Sequence, residues 1–317
     1  MKKNYFLAFL FAFAMISVNA QDIEDDMESY TVGQPIFQDH WTDWGCGGGV
    51  GCAIMSSADQ ALSGGQSGYI PNDGTTDAVL DLGNKIFGEW GLAFYQYVPS
   101  GSEGYWNLQG EVPIGSGEWI VGNVFFNQAL ATPGEGSIDD SALGAVTFNY
   151  PEDQWFPIVM NFDISSGISA ATWGVWVNGE VVIPEGTAFT NGAGTVPTSL
   201  GGIDFFSIST TNNFYLDDVY YEDTLLDPDD FPVVLGLADL DAKGFSAYPN
   251  PVNNILNLRA NEAITAIAIY NVLGQQVYNA TNVDALNTTV DMSRFDNGAY
   301  FVKVNVGGAE GTVKVLK

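Results

Sequence analysis

The sequence predicts an all-β protein made of two consecutive β-sandwiches, the first large and the second small. Between about residues 22 and 223, runs of five to eight residues either alternate or are apolar throughout, and clusters of Gly, Pro, Asn and Asp separate them. No stretch of helical period and useful length interrupts this pattern. After about residue 245 a clean alternation resumes, and the balance of charge changes at the same place. These observations predict two domains.

Residues 1–20 are predicted to be a secretory signal peptide. Lys2 and Lys3 precede an apolar run that begins at Tyr5, and the small residue Ala20 stands where a signal peptidase would cut. The run is shorter than the roughly 20 apolar residues that span a bilayer, which favours a signal peptide over a membrane anchor. No later segment is long and apolar enough to span, so we expect no transmembrane span in the mature chain.

Residues 21–225 are predicted to form the large sandwich. Its clearest strands read AVLDLG, WGLAFYQYVP, EWIVGNVFF, ALGAVTFNY, WFPIVMNFDI, ATWGVWVNGEVVI and GIDFFSIST. Strands this numerous and this evenly spaced, with Gly-rich turns between them, favour two packed sheets. The dipeptide Asn178-Gly179 predicts a type I′ hairpin turn, because that turn requires two positive φ values.

Charge is distributed unequally along the chain. The protein has 38 acidic and 9 basic residues, and between Gln21 and Ala242 a single basic residue, Lys85, stands among 33 acidic ones. Such a surface repels phosphate backbones and anionic lipids, so it disfavours binding to nucleic acid or to a membrane surface. The acidity is typical of a soluble extracellular protein, and some of the carboxylates are also candidates for binding divalent cations.

Cys46 and Cys52 are predicted to form a disulfide, because a close cysteine pair in a secreted protein is typical of one. The glycines between them let this short loop close without steric conflict. His40, the sole histidine, lies too far away in sequence to favour a metal site with two thiols. Since no GxSxG motif accompanies it, we interpret His40 as a surface or loop residue and not as a catalytic base.

Residues 226–245 are predicted to be an acidic, proline-containing linker, with Pro228 and Pro232 inside it. Beyond Ala242 the acidic excess ends, since five acidic residues face six basic ones there. The alternating segments ILNLRA, AITAIAIYNVLGQQVYNA, TTVDMS and GAYFVKVNVGGAEGTVKVLK then predict the second, smaller sandwich.

Four motifs follow one another in residues 246–317: YPNP, IYNVLGQQV, DMSRFDNGAYFVKV and the terminal GTVKVLK. In this order and spacing they resemble the type A C-terminal sorting domain of proteins that Bacteroidetes export by type IX secretion. The resemblance implies that this Ig-like β-sandwich is recognised by the type IX machinery and then usually cleaved. It therefore implies a protein that is secreted, either into the extracellular space or onto the outer-membrane surface.

The residues of these motifs also have local physical roles. Pro249 and Pro251, on either side of Asn250, are expected to fix an extended entry into the first strand and to remove backbone donors that would pair wrongly. Gly274 and Gly298 are expected where strands reverse direction.

The large domain contains the segments DDMESYTVGQPI, HWTDWG, VPSGSEGYWNLQG, DQWFPIVMNFD with WVNGEVV, and NFYLDDVYYED. Together they resemble the concanavalin A/laminin G-like jelly rolls of secreted flavobacterial proteins. The resemblance implies a jelly-roll sandwich. It says little about activity, because lectins, glycan hydrolases, adhesion modules and spacers share this architecture.

One structural Ca²⁺ is predicted from the resemblance and from three carboxylates. If the first and last strands pair, Glu28 approaches Asp217 and Asp218, and a hard cation with oxygen ligands would neutralise their repulsion. The alternative is that one of the consecutive aspartates is solvated, because neighbouring strand residues point to opposite faces.

A carbohydrate-binding patch is predicted at Tyr105, Trp106, Asn107 and Gln109. Aromatic rings stack on the apolar faces of sugars, and neighbouring amides bond their hydroxyls. Four further tryptophans are candidates for the same surface: Trp90, Trp119, Trp173 and Trp176. The alternative is that these aromatic residues pack within the sandwich.

No catalytic residues are predicted. The nearest match to the Glu-apolar-Asp-apolar-apolar-Glu motif of retaining glucanases contains Glu24, Asp26 and Glu28, but the charged Asp25 stands where an apolar residue is needed. The sequence therefore favours a secreted or cell-surface, non-catalytic binding protein for extracellular polysaccharide or another surface component. The alternatives are a structural or adhesive surface protein without a defined glycan ligand, or a divergent glycan hydrolase or lyase.

Overall fold

The chain folds into two β-sandwiches joined by a packed connecting segment. The computed structural model describes residues 23–49, 51–113, 118–235, 240, 243–272, 274–307 and 309–317. The predicted signal peptide lies outside the described residues. Three short 3₁₀ helices span Gln128–Leu130, Ile168–Ala170 and Pro228–Asp230.

The described residues form 22 strands, numbered in chain order. The strands are β1 (Ile23–Asp25), β2 (Pro35–Ile36), β3 (Trp41–Asp43), β4 (Ile54–Ser57), β5 (Ser67–Ile70), β6 (Asp77–Lys85), β7 (Glu89–Tyr97), β8 (Gly104–Gln109), β9 (Asn123–Phe126), β10 (Glu135–Ser141), β11 (Gly144–Asn149), β12 (Trp155–Asp163), β13 (Thr172–Val177), β14 (Glu180–Ala188), β15 (Leu200–Phe206), β16 (Phe214–Glu222), β17 (Val234–Leu235), β18 (Ser246–Tyr248), β19 (Ile255–Asn271), β20 (Gln276–Asp291), β21 (Ala299–Val306) and β22 (Ala309–Leu316).

Two antiparallel sheets build the large sandwich, which confirms the predicted all-β class and jelly-roll architecture. The nine-stranded sheet has the order β14-β13-β12-β7-β16-β5-β4-β2, with β1 also paired to β16. The seven-stranded sheet has the order β11-β10-β9-β8-β15-β6-β3. Because side chains alternate along each strand, each sheet has one face in the shared core and one outer face.

Aromatic rings fill the core between the two sheets. Phe94 from the nine-stranded sheet meets Trp106 and Phe205 from the seven-stranded sheet edge-on, with ring centroids 5.8 and 5.7 Å apart. These large side chains bury the apolar area that holds the sheets together.

The predicted hairpin forms between β13 and β14. Asn178 and Gly179 have φ values of 51° and 78°, and Val177 pairs with Glu180 across the turn. Two positive φ values are what a type I′ turn needs, so the prediction is confirmed.

The segment predicted as a linker is packed over its described part. Leu226 is buried. The Asn161 side chain also holds its backbone, since it donates to the Leu226 carbonyl (2.9 Å) and accepts from the Leu226 N–H (2.8 Å). Further along, β17 pairs in parallel with β22. Residues 226–235 therefore lie along the large sandwich and end on the small one.

Six strands form one hydrogen-bonded array around the core of the small, Ig-like sandwich. The long strand β19 pairs with β18, β20 and β21 at different points along its length, and β22 closes the array on β21. Its core side chains include Leu256, Ile267, Val302 and Val315, all of them buried.

The sorting-motif residues occupy three connections of this domain. Pro249 and Pro251 follow β18 and lead into β19, whose first residues are the predicted strand ILNLRA. A proline has no N–H for a strand ladder, and this connection does not require one. Between them, Asn250 accepts from the Leu316 N–H (2.9 Å) and donates to the Lys314 carbonyl (3.2 Å).

The two glycines differ in their surroundings. Gly274 has φ +74° in the turn between β19 and β20, where reversal was predicted. Gly298 instead precedes β21 and exchanges two backbone hydrogen bonds with Lys317.

Lys85 sits at the end of β6 with its ammonium group over the Trp90 ring, 4.1 Å from the centroid. The ring face attracts the cation, and the contact holds this lysine against the sandwich. No helix within the described part of the chain combines the length and apolar character needed to cross a bilayer.

Candidate functional site

The predicted binding patch lies on β8, where successive side chains point to opposite faces. Tyr105, Asn107 and Gln109 lie on the outer face of the seven-stranded sheet, whereas Trp106 points into the core and is only 1% exposed. Its indole N–H donates to Gln96 Oε1 (3.1 Å). The prediction that Trp106 contacts a ligand is wrong, because strand residues one position apart cannot share a face.

A groove of about 270 Å³ opens over this outer face. Its lining residues come from separate segments of the chain and are Trp44, Asp77, Tyr105, Asn107, Trp119, Asp204 and Phe206. Trp44 and Trp119 meet at its rim with ring centroids 5.3 Å apart, and Trp119 is 41% exposed. Trp119 also lines a second, neighbouring cavity of about 440 Å³.

Polar side chains in the groove are bonded to one another. The Tyr105 hydroxyl donates to Asn123 Oδ1 (2.7 Å), and Asn107 Nδ2 lies 3.2 Å from both the Tyr105 hydroxyl and Asp204 Oδ2. Gln109 Nε2 donates to Asn107 Oδ1. Such a network fixes the orientation of each amide before a ligand arrives.

Two carboxyl groups, those of Asp77 and Asp204, meet at the floor of the groove. Burial raises the pKa of Asp204 well above its ordinary value, and the charge of Asp77 and the hydrogen bond between the two groups raise this pKa further. Burial also raises the pKa of Asp77. Two carboxyls can bond to each other only if one of them is protonated, so the raised pKa values favour a single proton shared by the pair. Neither buried Oδ1 atom has another donor.

The disulfide lies in the loop that carries Trp44. Cys46 and Cys52 are bonded, which confirms the predicted pairing. The Asp43 carboxylate accepts the backbone N–H groups of residues 45–48 at 2.6 to 3.2 Å. Burial would raise the pKa of Asp43, but these hydrogen bonds outweigh burial and hold the pKa below its ordinary value.

Two backbone hydrogen bonds attach this loop to the groove floor. The Trp44 N–H donates to the Asp77 carbonyl (3.1 Å), and the Asp77 N–H donates to the Cys52 carbonyl (3.0 Å). The disulfide and Asp43 thus position Trp44 at the rim of the groove.

The carboxylates proposed for calcium all approach one loop. Glu28 accepts from the N–H groups of residues 65 and 66, Asp217 from those of 62 and 63, and Asp218 from the Ser63 hydroxyl. Burial, with a smaller contribution from the charge of Asp218, raises the pKa of Asp217 to about 7. Each carboxylate thus has donors from the protein. Among the described residues no group of three or more His, Cys, Asp or Glu is arranged to hold a metal ion. Calcium binding stays a prediction.

The first and last strands of the large sandwich do pair, as expected, but through β1 instead of Glu28. In β1 the buried Asp25 accepts from the Tyr30 hydroxyl (2.7 Å) and the Trp41 indole (2.8 Å), and His40 Nε2 lies 2.7 Å from it. Burial would raise the pKa of Asp25, yet these hydrogen bonds hold it below its ordinary value. His40 therefore helps to anchor the first strand.

Residues 246–317 match the family model of the secretion system C-terminal sorting domain. This segment is therefore a C-terminal sorting domain, as its motifs indicated, and it marks the chain for export to the cell surface or the extracellular space. No curated protein matches the chain.

Several solved structures share the sandwich at low identity. The chain is similar to the catalytic domain of a glycoside hydrolase family 131 protein from Coprinopsis cinerea (11% identity, 60% of this chain and 88% of that one, TM-score 0.38). It is also similar to the tandem CBM22 domain of Paenibacillus barcinonensis Xyn10C (11%, 94% and 85%, 0.33) and to Trypanosoma rangeli sialidase (12%, 56% and 28%, 0.36). The chain thus spans 28% of the sialidase, and these likenesses are too remote to support a functional argument.

Proposed function

We propose that the exported protein binds polysaccharide outside the cell in the groove of the seven-stranded sheet. One observation carries the proposal: the ring pair of half-buried Trp44 and exposed Trp119 lines the same groove as the bonded polar network of Tyr105 and Asn107. The rings offer flat apolar surfaces for stacking on sugar rings, and the amides and carboxyls offer donors and acceptors for hydroxyl groups.

Charge narrows the class of glycan. The large domain, residues 21–225, carries 28 acidic residues and one lysine, and Asp139 and Asp140 line the cavity next to the groove. Uronic acids or sulfated sugars would meet repulsion there, so a neutral polysaccharide is the preferred ligand.

The test is retention of the full chain on a panel of neutral polysaccharides (cellulose, xylan, mannan, laminarin) in affinity electrophoresis. Trp119→Ala is expected to weaken retention on the bound glycan at least about tenfold, equal to about 1.4 kcal/mol. Phe87→Ala removes an exposed aromatic side chain that does not line the groove and should leave retention unchanged. If wild type is retained on no glycan, the structural or adhesive alternative replaces this proposal.

A second candidate function is glycan hydrolysis, favoured by the shared proton of Asp77 and Asp204 on the groove floor. A protonated carboxyl beside an ionised one has the two protonation states that acid–base catalysis needs. A retaining glycosidase would in addition need its two carboxyl groups roughly 5 Å apart on either side of the scissile bond, so binding is the first proposal.

Release of reducing ends from the same panel tests this second candidate. If the protein hydrolyses the glycan, wild type releases reducing ends and Asp204→Asn does not. Trp119→Ala weakens both the retention on the glycan and the release of reducing ends. Retention without any release would remove hydrolysis and leave the binding proposal intact.

A further inference from the structure

The outer face of the nine-stranded sheet carries four aromatic residues in a row. Trp155, Tyr97, Tyr215 and Tyr69 lie directly opposite one another on the adjacent strands β12, β7, β16 and β5. Neighbouring ring centroids are 5.5, 6.1 and 4.6 Å apart along this row. With strands about 4.8 Å apart, the aromatic ladder spans about 14 Å across the sheet.

These rings are not part of the core between the sheets. Their sequence neighbours Phe94, Phe156 and Leu216 belong to the core cluster, whereas the ladder forms a separate cluster with Tyr95. The outer face of a sandwich sheet is ordinarily polar, and a continuous apolar patch on it is typical of an interaction site.

Residues 226–235, here called the strap, cross this outer face. Phe231 and Val234 pack against the ladder cluster, and the Tyr95 hydroxyl donates to the Pro232 carbonyl (3.1 Å). Gln154 Nε2 donates to the Val234 carbonyl. Trp155 and Tyr215 of this cluster are both buried. The strap thus occupies the end of the ladder formed by β12 and β7.

The large sandwich holds one end of the strap, and the sorting domain holds the other. Its first residue, Leu226, is bonded on both sides by Asn161 of the large sandwich. Its last residues form β17, which pairs with β22 of the sorting domain, and the Glu310 N–H donates to the Val233 carbonyl (2.7 Å). The position of the strap over the ladder therefore depends on the sorting domain.

Charge does not hold the middle of the strap in place. The strap contains three aspartates and no basic residue. A cavity of about 240 Å³ beneath it is lined by Asp230 of the strap together with Glu24, Asp26 and Asp218 of the large sandwich. Like charges facing one another oppose the covered arrangement, so apolar contacts and a few hydrogen bonds maintain it.

We propose that the aromatic ladder is a second binding face, for a neutral chain of linked pyranose sugars, and that the strap covers it as long as the sorting domain holds β17. A row of aromatic side chains on adjacent strands offers apolar contacts to successive sugar units, although the rings are inclined to one another by 20° to 79°. The surrounding carboxylates disfavour an anionic chain. Displacement of the strap exposes the row and lets a glycan replace Phe231. This site is separate from the groove, so the two proposals can fail independently.

The experiment measures the affinity of the full chain for cellohexaose, xylohexaose, mannohexaose and laminarihexaose by titration calorimetry. Phe231→Ser removes the strap ring from the ladder, and Gln154→Ala removes a hydrogen bond near the other end of the strap. Because a covered site binds with an affinity reduced by its open fraction, each variant is expected to bind at least one hexasaccharide about tenfold more tightly than wild type.

Second substitutions identify the site of the gain. Tyr97→Ala in the Phe231→Ser background is expected to abolish the gain, Tyr97→Phe to keep it, and the groove substitution Trp119→Ala to leave it unchanged. Thermal melting shows whether each variant is folded. If Phe231→Ser does not fold, Gln154→Ala alone tests whether the strap covers the ladder. A gain that survives Tyr97→Ala, or no gain in either strap variant, overturns the proposal. If Trp119→Ala loses the polysaccharide retention of the wild type, that result bears on the groove and not on the ladder.

Discussion

The two sheets of the large sandwich present opposite kinds of outer face. On the seven-stranded sheet, side chains such as Asn107 and Asp204 bond one another and leave an open groove. On the nine-stranded sheet, the aromatic ladder is partly covered by a strap that Asn161 holds at one end and the sorting domain holds at the other. A ligand of the groove displaces water from a formed site, whereas a ligand of the ladder must displace protein. The affinity of a sheet face for a ligand therefore depends on what covers that face and not only on the residues it carries.

The largest expected effect on the free energy of unfolding is that of Trp106→Ala. This substitution tests whether Trp106 belongs to the core or to the groove. Trp106 fills the core behind the groove, so its truncation leaves a cavity and should lower the free energy of unfolding by about 3–5 kcal/mol. Urea denaturation followed by tryptophan fluorescence measures this change, with Tyr105→Phe as the outer-face control. A Trp106→Ala protein of wild-type stability that fails to bind glycan would contradict the placement of this side chain.

A smaller effect is expected from replacing both Cys46 and Cys52 by Ser. The disulfide closes a short loop, and its loss should lower the free energy of unfolding by about 2 kcal/mol through the greater freedom of the unfolded chain. Trp44 loses part of its support, so glycan retention in the groove should fall as well. Binding to the ladder in the Phe231→Ser background should not change. Equal losses at both faces would show that the loop acts on the whole sandwich.

At pH 5 the smallest of the three effects is expected from Asp204→Asn. The folded pair holds a proton that the unfolded chain releases above its ordinary pKa of 3.8, so the folded state binds more protons and stability falls as pH rises from there toward the raised folded pKa. Asp204→Asn mimics the protonated form. It should match wild type near pH 4 and become more stable than wild type by roughly 1 kcal/mol per pH unit above that.

Glu180→Gln removes one charge from an exposed site and is the control for the general effect of acidity. Thermal melts from pH 4 to pH 8 provide the comparison. Parallel curves for wild type and Asp204→Asn would show that the two carboxyls do not share a proton.

Local patterns in the sequence predicted much of the fold. Alternation, turn residues and the Asn178-Gly179 dipeptide placed strands and a hairpin, and the four terminal motifs identified the sorting domain. The same alternation, applied to β8, also separates Trp106 from Tyr105 and Asn107. Of the predicted patch, Trp106 is the residue that the structure moves to the core, because residues adjacent in a strand point to opposite faces of the sheet.

The groove and the ladder could not be predicted in this way, because each is assembled from distant strands. Asp77 and Asp204 lie on β6 and β15, and their proximity depends on pairing between these strands. The ladder depends on the register of four strands at once, and a shift of one residue in β7 would turn Tyr97 into the core. Nothing in the strap residues themselves indicated that they would cover aromatic rings.

The single lysine of the large domain limits the number of sites at which a trypsin-like protease can cut that domain. An enzyme that cuts after Lys or Arg finds only one such residue between Gln21 and Ala242, and that residue, Lys85, lies in a strand with its ammonium group against Trp90. The next basic residue is Lys243, just before the sorting domain. Trypsin-like digestion would therefore trim the basic tail and spare the sandwich, leaving a long-lived fragment.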